Sequence, residues 1–267
     1  MYVEFHDKDH RYVSDTGEQY TSVTTIVGLY KEVFPEIKAS ESCVLKEGGK
    51  WFGMNPVEVR KIWRDERDRS TTMGTWYHKT REDAIVNPIQ CPVVHGVKQS
   101  LSQGALKDGI YPEYIVYHPE YGIAGQIDYL EVKKNKFRIV DYKTSKEVHM
   151  KSFLNKTMKP PLNRVPDCSL YHYNLQLSLY AAMIMYHNPQ MKIGELVIEH
   201  VTFEIKELDK YGYPVYEQLA NGDYIVKDII PFKLPYMANE VKWLLLDIHN
   251  KARDQKPLAK SSIRLPH

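Results

Sequence analysis

Residues 122–130 read Gly122-Ile123-Ala124-Gly125-Gln126-Ile127-Asp128-Tyr129-Leu130, and residues 138–144 read Arg138-Ile139-Val140-Asp141-Tyr142-Lys143-Thr144. Both stretches are rich in β-branched and aromatic residues, and Lys133–Asn135 between them carries turn residues. They read as two antiparallel strands of a hairpin. With Tyr111–Tyr117 ahead of them, across a turn at His118–Tyr121, they make a three-stranded meander. A polar segment containing Pro160, Pro161 and Pro166 follows, then a long helix over Ser169–His187 and a strand over Val197–Ile205. A meander followed by helix and strand predicts one α/β domain around a mixed sheet.

Upstream, the first 20 residues read as a hairpin. Tyr2–Phe5 and Arg11–Val13 flank the turn-rich Asp7-Lys8-Asp9, and Gln19-Tyr20 adds a short piece. Thr21 or Ser22 caps a short helix over Val23–Tyr30. Residues 36–86 read as helices broken near Gly48-Gly49, Gly53 and Gly74. The piece Pro56–Arg69 has Asn55 as its cap and proline at its first helical position. Downstream, Tyr213–Ile230 reads as irregular β structure. Residues 235–253 read as a helix with Met237, Val241, Leu244, Leu245, Ile248 and Ala252 on one core-facing stripe. The expected division is a single domain over 1–267, with an N-terminal hairpin and helical region (1–69), a core (70–205) and a C-terminal β/helical extension (206–267).

A chain of 267 residues buries a sizeable core unaided. With 43% hydrophobic and 26% charged residues, disorder and collagen-like repeats are excluded. No uncharged apolar run approaches the roughly 18 residues of a membrane span. The charged N-terminus shows no apolar signal-peptide core, and three widely spaced cysteines make no disulfide framework. A cytoplasmic location is expected. The net charge is only +2, so any nucleic-acid partner must be met by a local basic patch.

The hairpin also carries chemistry. Asp128 and Asp141, on adjacent strands, can converge at one edge of the sheet, and two carboxylates make a hard oxygen site suited to Mg²⁺ or Mn²⁺. Lys143, two residues after Asp141, shares its strand face. A cation there orients a water and stabilises a pentavalent phosphate. Tyr142 points the other way, leaving its backbone carbonyl to reach a metal. By itself Asp-x-Lys reads as a surface ion pair. In Gly74-Thr75-Trp76-Tyr77-His78, His78 lies four residues before Glu82, so the two are helix neighbours. That spacing suits a metal, although a surface polar pair is the simpler reading of this segment alone. Ser70-Thr71-Thr72 and Thr75 are candidates for phosphate contact, and Trp76 either stacks on a base or packs under the helix. Gln176 and Tyr180, also four apart, can hydrogen-bond a phosphate or a water.

In chain order the sequence offers Gly-Thr-x-x-His-x-x-x-Glu on a helix, Pro112-Glu113 on a strand, Gly-x-Ile-Asp on the next, Ile-x-Asp-Tyr-Lys-Thr on a third, and Gln-x-x-x-Tyr on a helix. Over roughly residues 70–185 this resembles the PD-(D/E)XK nucleases, specifically the RecB-like exonuclease branch that includes many phage exonucleases and the mitochondrial genome-maintenance exonuclease. The resemblance implies a restriction-endonuclease-like core, a mixed β-sheet flanked by helices. It implies a Mg²⁺- or Mn²⁺-dependent DNA exonuclease, using one or two ions and leaving a 5′-phosphate. His78, Asp128, Asp141 and the Tyr142 carbonyl would ligate the metal. Lys143 would position or activate the attacking water. Gln176 and Tyr180 would contact the substrate strand, and Glu82 and Glu113 would serve a second metal or stand just outside the first.

Some relatives carry an iron–sulfur cluster on four cysteines. Here Cys43, Cys91 and Cys168 are too few and none follows the Gln-x-x-x-Tyr helix, so no cluster is expected and all three read as structural. No Gly-x-x-x-x-Gly-Lys-Ser/Thr loop marks a fused motor. Between 143 and 164, Lys146, Lys151, Lys156, Lys159 and Arg164 accompany Lys143 against a single acidic residue, Glu147. This segment reads as a mobile basic loop beside the metal site, able to neutralise phosphates and arch over the strand. A plain solvated loop is the alternative. The expected partner is DNA, single-stranded or at its ends, in replication, recombination or end processing. A replication or recombination protein is a possible further partner, and the host cytoplasm the location if the enzyme is phage-encoded. A structure-specific endonuclease and an inactive DNA-binding module are the competing readings.

Overall fold

The computed structural model describes residues 2–6, 9, 11–86 and 106–255. In chain order the elements are β1 (Val3–His6), β2 (Arg11–Ser14), β3 (Gln19–Ser22), α1 (Val23–Leu29), α2 (Glu36–Val44), α3 (Pro56–Val86), β4 (Gly109–His118), β5 (Ile123–Lys133), β6 (Lys136–Lys143), α4 (Ser169–His187), β7 (Lys192–Phe203), β8 (Ile205–Leu208), β9 (Pro214–Tyr216), β10 (Val226–Leu234) and α5 (Ala238–Gln255). The hairpin at the centre closes through a two-residue loop, Lys134-Asn135, with φ of 49° and 58°. That left-handed pair matches the twist of the strands it joins.

The sheet is mixed and orders its strands β1-β2-β3-β5-β6-β7-β10, with β4 on β5 as well. β4 runs antiparallel along one edge of β5, from Gly109 opposite Val132 to His118 opposite Ile123. The other edge of β5 is shared. β6 takes Tyr129–Lys133, and β3 pairs in parallel with Ile123 and Ala124. These registers leave Gly125–Asp128 in the gap between β3 and β6. On its far side β6 continues in parallel with β7 as far as Lys143 opposite His200. A parallel pair needs a crossover, and α4 supplies it.

Helices cover both faces. On one face α1, α4 and α5 bury Ile26, Leu175, Leu179, Val241 and Leu244 against Ile127, Leu130, Ile139 and Ile198. α4 is buried on nearly every side from Asn174 to Ala181, which is why apolar residues dominate its sequence. On the other face α3 presents Met73 and Tyr77 to Val140, Tyr142, Val197, Val201 and Phe203. β10 joins this same sheet beside β7 and α5 packs on α4, so the segment after residue 205 is built into the common core.

The caps are as expected: Ser22 Oγ accepts from the Thr25 N–H at 3.0 Å, and Asn55 Oδ1 from the Val57 N–H at 2.9 Å. Three expectations change. The break at Gly74 does not occur, and α3 is one helix of 31 residues. Gly74 serves close packing, since a Cβ there would lie 3.0 Å from Thr144 Oγ1; the roughly 1 kcal/mol cost of a helical glycine is offset elsewhere. The strand expected from Val197 starts at Lys192, because pairing with β6 extends it. The third change concerns the basic loop. Its second half is held to the core: Met158, Leu162 and Val165 are buried, the Met158 N–H donates to Val165 O at 2.9 Å, and the Lys159 N–H to Tyr30 O at 2.8 Å. Cys43 and Cys168 are free thiols; Cys91 lies outside the described residues.

The anchored loop yields a stability prediction. Leu162 is 0% exposed, so Leu162→Ala should destabilise the protein by about 2–5 kcal/mol, read from equilibrium urea unfolding. A solvated loop would leave the midpoint unchanged.

Candidate active site

The site forms where β5 and β6 part. The last paired residues there are Tyr129 and Val140. One step on, the Tyr142 N–H donates to Asp128 Oδ2 at 2.7 Å, so a side-chain carboxylate takes the place of a ladder carbonyl. Asp128 and Asp141 are thereby fixed at the fork, 9% and 2% exposed. Strand alternation sends Asp141 and Lys143 to the α4 face. Lys143 Nζ lies 2.7 Å from Asp141 Oδ2 and 4.9 Å from the centre of the Tyr173 ring. Gln176 Nε2 donates to Asp141 Oδ1 at 2.8 Å and to Tyr180 Oη at 3.1 Å. Tyr180 reaches under the fork because position 125 is glycine: a Cβ there would sit 2.4 Å from Tyr180 Cε1.

From the opposite face α3 delivers His78. Its Nδ1 is 3.5 Å from Asp128 Oδ1 and 4.0 Å from Glu113 Oε1, and its Nε2 is 3.2 Å from the Tyr142 carbonyl. Glu113 sits on β4 between the residues paired with Tyr129 and Ile127, hence beside Asp128. Its φ of 49° is a strained value for a side chain other than glycine, of the kind that accumulates at functional sites. His78, Glu113 and Asp128 each offer a ligand atom within 4.8 Å of the others.

Charge balance follows from burial and these neighbours. Burial works against a charged His78, yet Asp128, Asp141 and Glu113 together raise its pKa to about 9. Burial also raises Asp141, to about 6, against the pull of Lys143 and with the push of Asp128. In Asp128 burial is outweighed by His78, Lys143 and the Tyr142 N–H, and its pKa falls. Lys143, despite burial, is raised by the two aspartates.

Thus the fork brings together His78, Glu113, Asp128, Asp141, the Tyr142 carbonyl, Lys143, Gln176 and Tyr180. It does not bring in Glu82, whose carboxylate pairs with Lys79 at 3.1 Å and is not part of the three-residue group. Trp76 donates from Nε1 to Asp223 at 2.9 Å and packs on Phe203 and Tyr224, so it belongs to the packing under α3. The Thr75 hydroxyl bonds the Thr71 carbonyl of its own helix at 3.1 Å. Lys146, Lys151, Lys156 and Arg164 are exposed, and Lys159 is half-buried. Sequence reasoning passed over Gly125, Tyr173 and Lys31. Tyr173 lies three residues before Gln176, a helical spacing that marks it as a neighbour. Lys31 is lowered by burial, with Asp167 opposing and Lys143 adding to the effect; no local pattern marks it.

A family model described as the PD-(D/E)XK nuclease superfamily matches residues 10–254. The chain belongs to that superfamily. No curated protein matches the nuclease chain significantly. The matched span runs from β2 to α5, so the fork, both helical layers and β10 all fall inside it. PD-(D/E)XK nucleases use divalent metals, and the donor set at the fork fits one: carboxylate oxygens, a backbone carbonyl and one imidazole nitrogen, with a half-buried lysine beside them.

The pKa of His78 gives that fit a test. In the metal-free nuclease His78 is protonated below about 9, against 6.5 for a free side chain. The stabilisation this gives is complete below 6.5 and is lost as pH rises through about 9. A ligating imidazole must be neutral, so metal binding near neutral pH releases a proton. Mn²⁺ affinity should rise with pH up to about 9, and calorimetry in buffers of different ionisation enthalpy should register proton release. A pH-independent affinity would remove His78 from the ligand set.

Proposed function

We propose that this nuclease is a Mg²⁺- or Mn²⁺-dependent DNA exonuclease of the RecB-like kind, acting on single strands or DNA ends in replication, recombination or end processing. The observation that carries the reading is the convergence at one fork of His78 from α3, Asp128 and Asp141 from adjacent strands, and Gln176 from α4, around a half-buried Lys143. A surface ion pair needs none of these partners. In this reading His78, Asp128, Asp141 and the Tyr142 carbonyl hold the metal, and Glu113 stands ready as an outer or second-ion ligand. Glu82, paired with Lys79, takes no part. The cytoplasm, where Cys43 and Cys168 stay thiols, is the matching compartment.

A divalent ion bound there would polarise a phosphate oxygen and acidify a water. The chain's own groups do the rest. Asp141 and Lys143 hold the water in line with the phosphorus. Water oxygen attacks as the P–O3′ bond breaks, the water proton passes to solvent or a carboxylate, and the leaving 3′-oxygen gains a proton, which leaves a 5′-phosphate. The Lys143 ammonium opposes the negative charge that builds on the phosphate oxygens. Gln176 keeps Asp141 from rotating, and the Tyr142 N–H does the same for Asp128. Retention of the whole set speaks against an inactive DNA-binding module.

End-labelled linear and closed circular single-stranded DNA, each with Mg²⁺ or Mn²⁺, test the reading. Linear DNA should be degraded and the circle left intact. Efficient cutting of the circle would make the enzyme an endonuclease. Asp141→Asn should abolish cleavage with the fold intact. Lys143→Ala should slow it by roughly a hundredfold or more with DNA affinity nearly kept; equal losses in rate and binding would reduce Lys143 to a phosphate contact.

A further inference from the structure

Seven residues past Lys143 the chain leaves the body of the protein for six residues and returns. The excursion has two fixed feet. At one foot the His149 N–H donates to Ser169 Oγ at 2.7 Å, and the Leu170 N–H donates to His149 O at 3.2 Å. At the other the Asp167 N–H donates to Lys156 O at 3.0 Å, two residues before the buried Met158. Between them Met150, Phe153 and Leu154 face water, 61%, 76% and 76% exposed. Leu154 and Asn155 both adopt left-handed backbone, with φ of 53° and 54°. Two such residues in succession, neither a glycine, cost energy that loose loops avoid. The tip is therefore a braced projection that holds an aromatic ring and a leucine out from the surface.

We propose that this tip is a base-stacking finger for single-stranded DNA, on which a base of the strand approaching the fork rests. The proposal rests on the nuclease reading for its partner and deepens it. Three observations select nucleic acid. First, the apolar tip is interleaved with cations: Lys151 and Lys156 are exposed within it, and Lys146 is exposed just before it. A surface that alternates apolar and cationic groups matches a ligand whose bases are apolar and whose backbone is anionic. Second, the finger shares its footing with the site. Ser169 holds the finger, and along the same helix Tyr173 faces Lys143 while Gln176 holds Asp141. Seven residues of helix separate the footing from Gln176 by about 10 Å along the axis, which is about three stacked nucleotides at roughly 3.4 Å each. Third, the two feet remove the entropy that a free loop would lose on binding.

Equilibrium binding of a fluorescent single-stranded oligonucleotide in EDTA tests this without any cleavage. Failure of the finger then stays separate from failure of the nuclease reading, which the linear and circular substrates score. Phe153→Ala and Leu154→Ala should each weaken binding, and the double variant by about 5- to 100-fold, the scale of one or two lost stacking contacts. Phe153→Trp should restore affinity. The loss in Phe153→Ala should persist at high salt, whereas that in Lys151→Ala should shrink. A 2-aminopurine stepped along the oligonucleotide should show stacking at one or two adjacent positions in the wild type and none in the double variant. Both side chains are exposed, so thermal melting should be nearly unchanged. Unchanged affinity in the double variant, or no binding by the wild type, would overturn the proposal. So would sedimentation showing a wild-type dimer that the double variant converts to monomer with DNA affinity intact, which would assign the tip to a contact between two copies.

Discussion

Beyond Tyr129 and Val140, β5 and β6 no longer exchange backbone hydrogen bonds, yet the Tyr142 N–H still points into the widening gap. A buried N–H left without an acceptor costs about 1–3 kcal/mol. The Asp128 carboxylate meets that need, and much of the architecture follows from it. Asp128 cannot turn away without orphaning a strand, so its second oxygen stays aimed at His78. Position 125, in that gap, is glycine, which lets the Tyr180 ring pack closely against β5 from the α4 side. β3 closes the rest of the edge by pairing with Ile123 and Ala124. A break in a sheet, which is ordinarily a weakness, becomes the place where two carboxylates are held with little freedom to move.

The two helical layers matter because the fork has two sides. α3 supplies His78 from one and α4 supplies Gln176 from the other, so the carboxylates are gripped across the thickness of the sheet. Burying two aspartates beside a half-buried lysine and histidine is expensive, and removing one member leaves an unpaired charge. Asp128 and Asp141 respond in opposite directions, the first held ionised by His78 and the second pushed up to about 6. Without a cation the cluster holds its balance by protonating His78. A divalent ion offers the same carboxylates a better partner and frees the imidazole to serve as a ligand. The metal-free arrangement therefore keeps the ligands close together at the cost of one proton.

Much of this was legible in the sequence because it lies in residues a few positions apart. The meander, the two carboxylates and Lys143 follow from alternation along strands. The pair Gln176 and Tyr180 follows from helical spacing, and both helix caps from Ser22 and Asn55. Glu82 misled for the same reason. A spacing of four makes it a neighbour of His78, but its carboxylate pairs with Lys79, and the carboxylates that approach His78 come from other elements, Asp128 at 3.5 Å and Glu113 at 4.0 Å. For Trp76 the sequence left stacking and packing level, because nothing local reveals Asp223, its hydrogen-bond partner from a distant turn. Gly74 looked like a break because glycine usually is one; here the constraint is Thr144, seventy residues away. Each miss is a long-range contact that overrides a local preference. The basic loop belongs with them: its prolines and lysines suggest solvent, while Met158, Leu162 and Val165 tie half of it to the core.

That tie changes where a DNA strand can run. A freely arching loop would have let all five cations close over the fork. With residues 157–166 anchored, the exposed cations of the first half, Lys146 to Lys156, are the ones free to follow a backbone. Two more lysines lie within electrostatic reach of this stretch. Burial lowers Lys31, with Asp167 opposing and Lys143 adding to the effect. Burial also lowers Lys50, its ammonium over the Trp51 and Tyr213 rings, with Asp209 and Glu66 opposing and Lys146 adding. Along α3, Asp65, Glu66 and Asp68 line a cavity with Arg69 and Tyr216. In the proposed reading, a nearly neutral chain meets an extended anion through local cations, Lys146, Lys151 and Lys156, which are exposed within thirteen residues of Lys143, and not through its net charge.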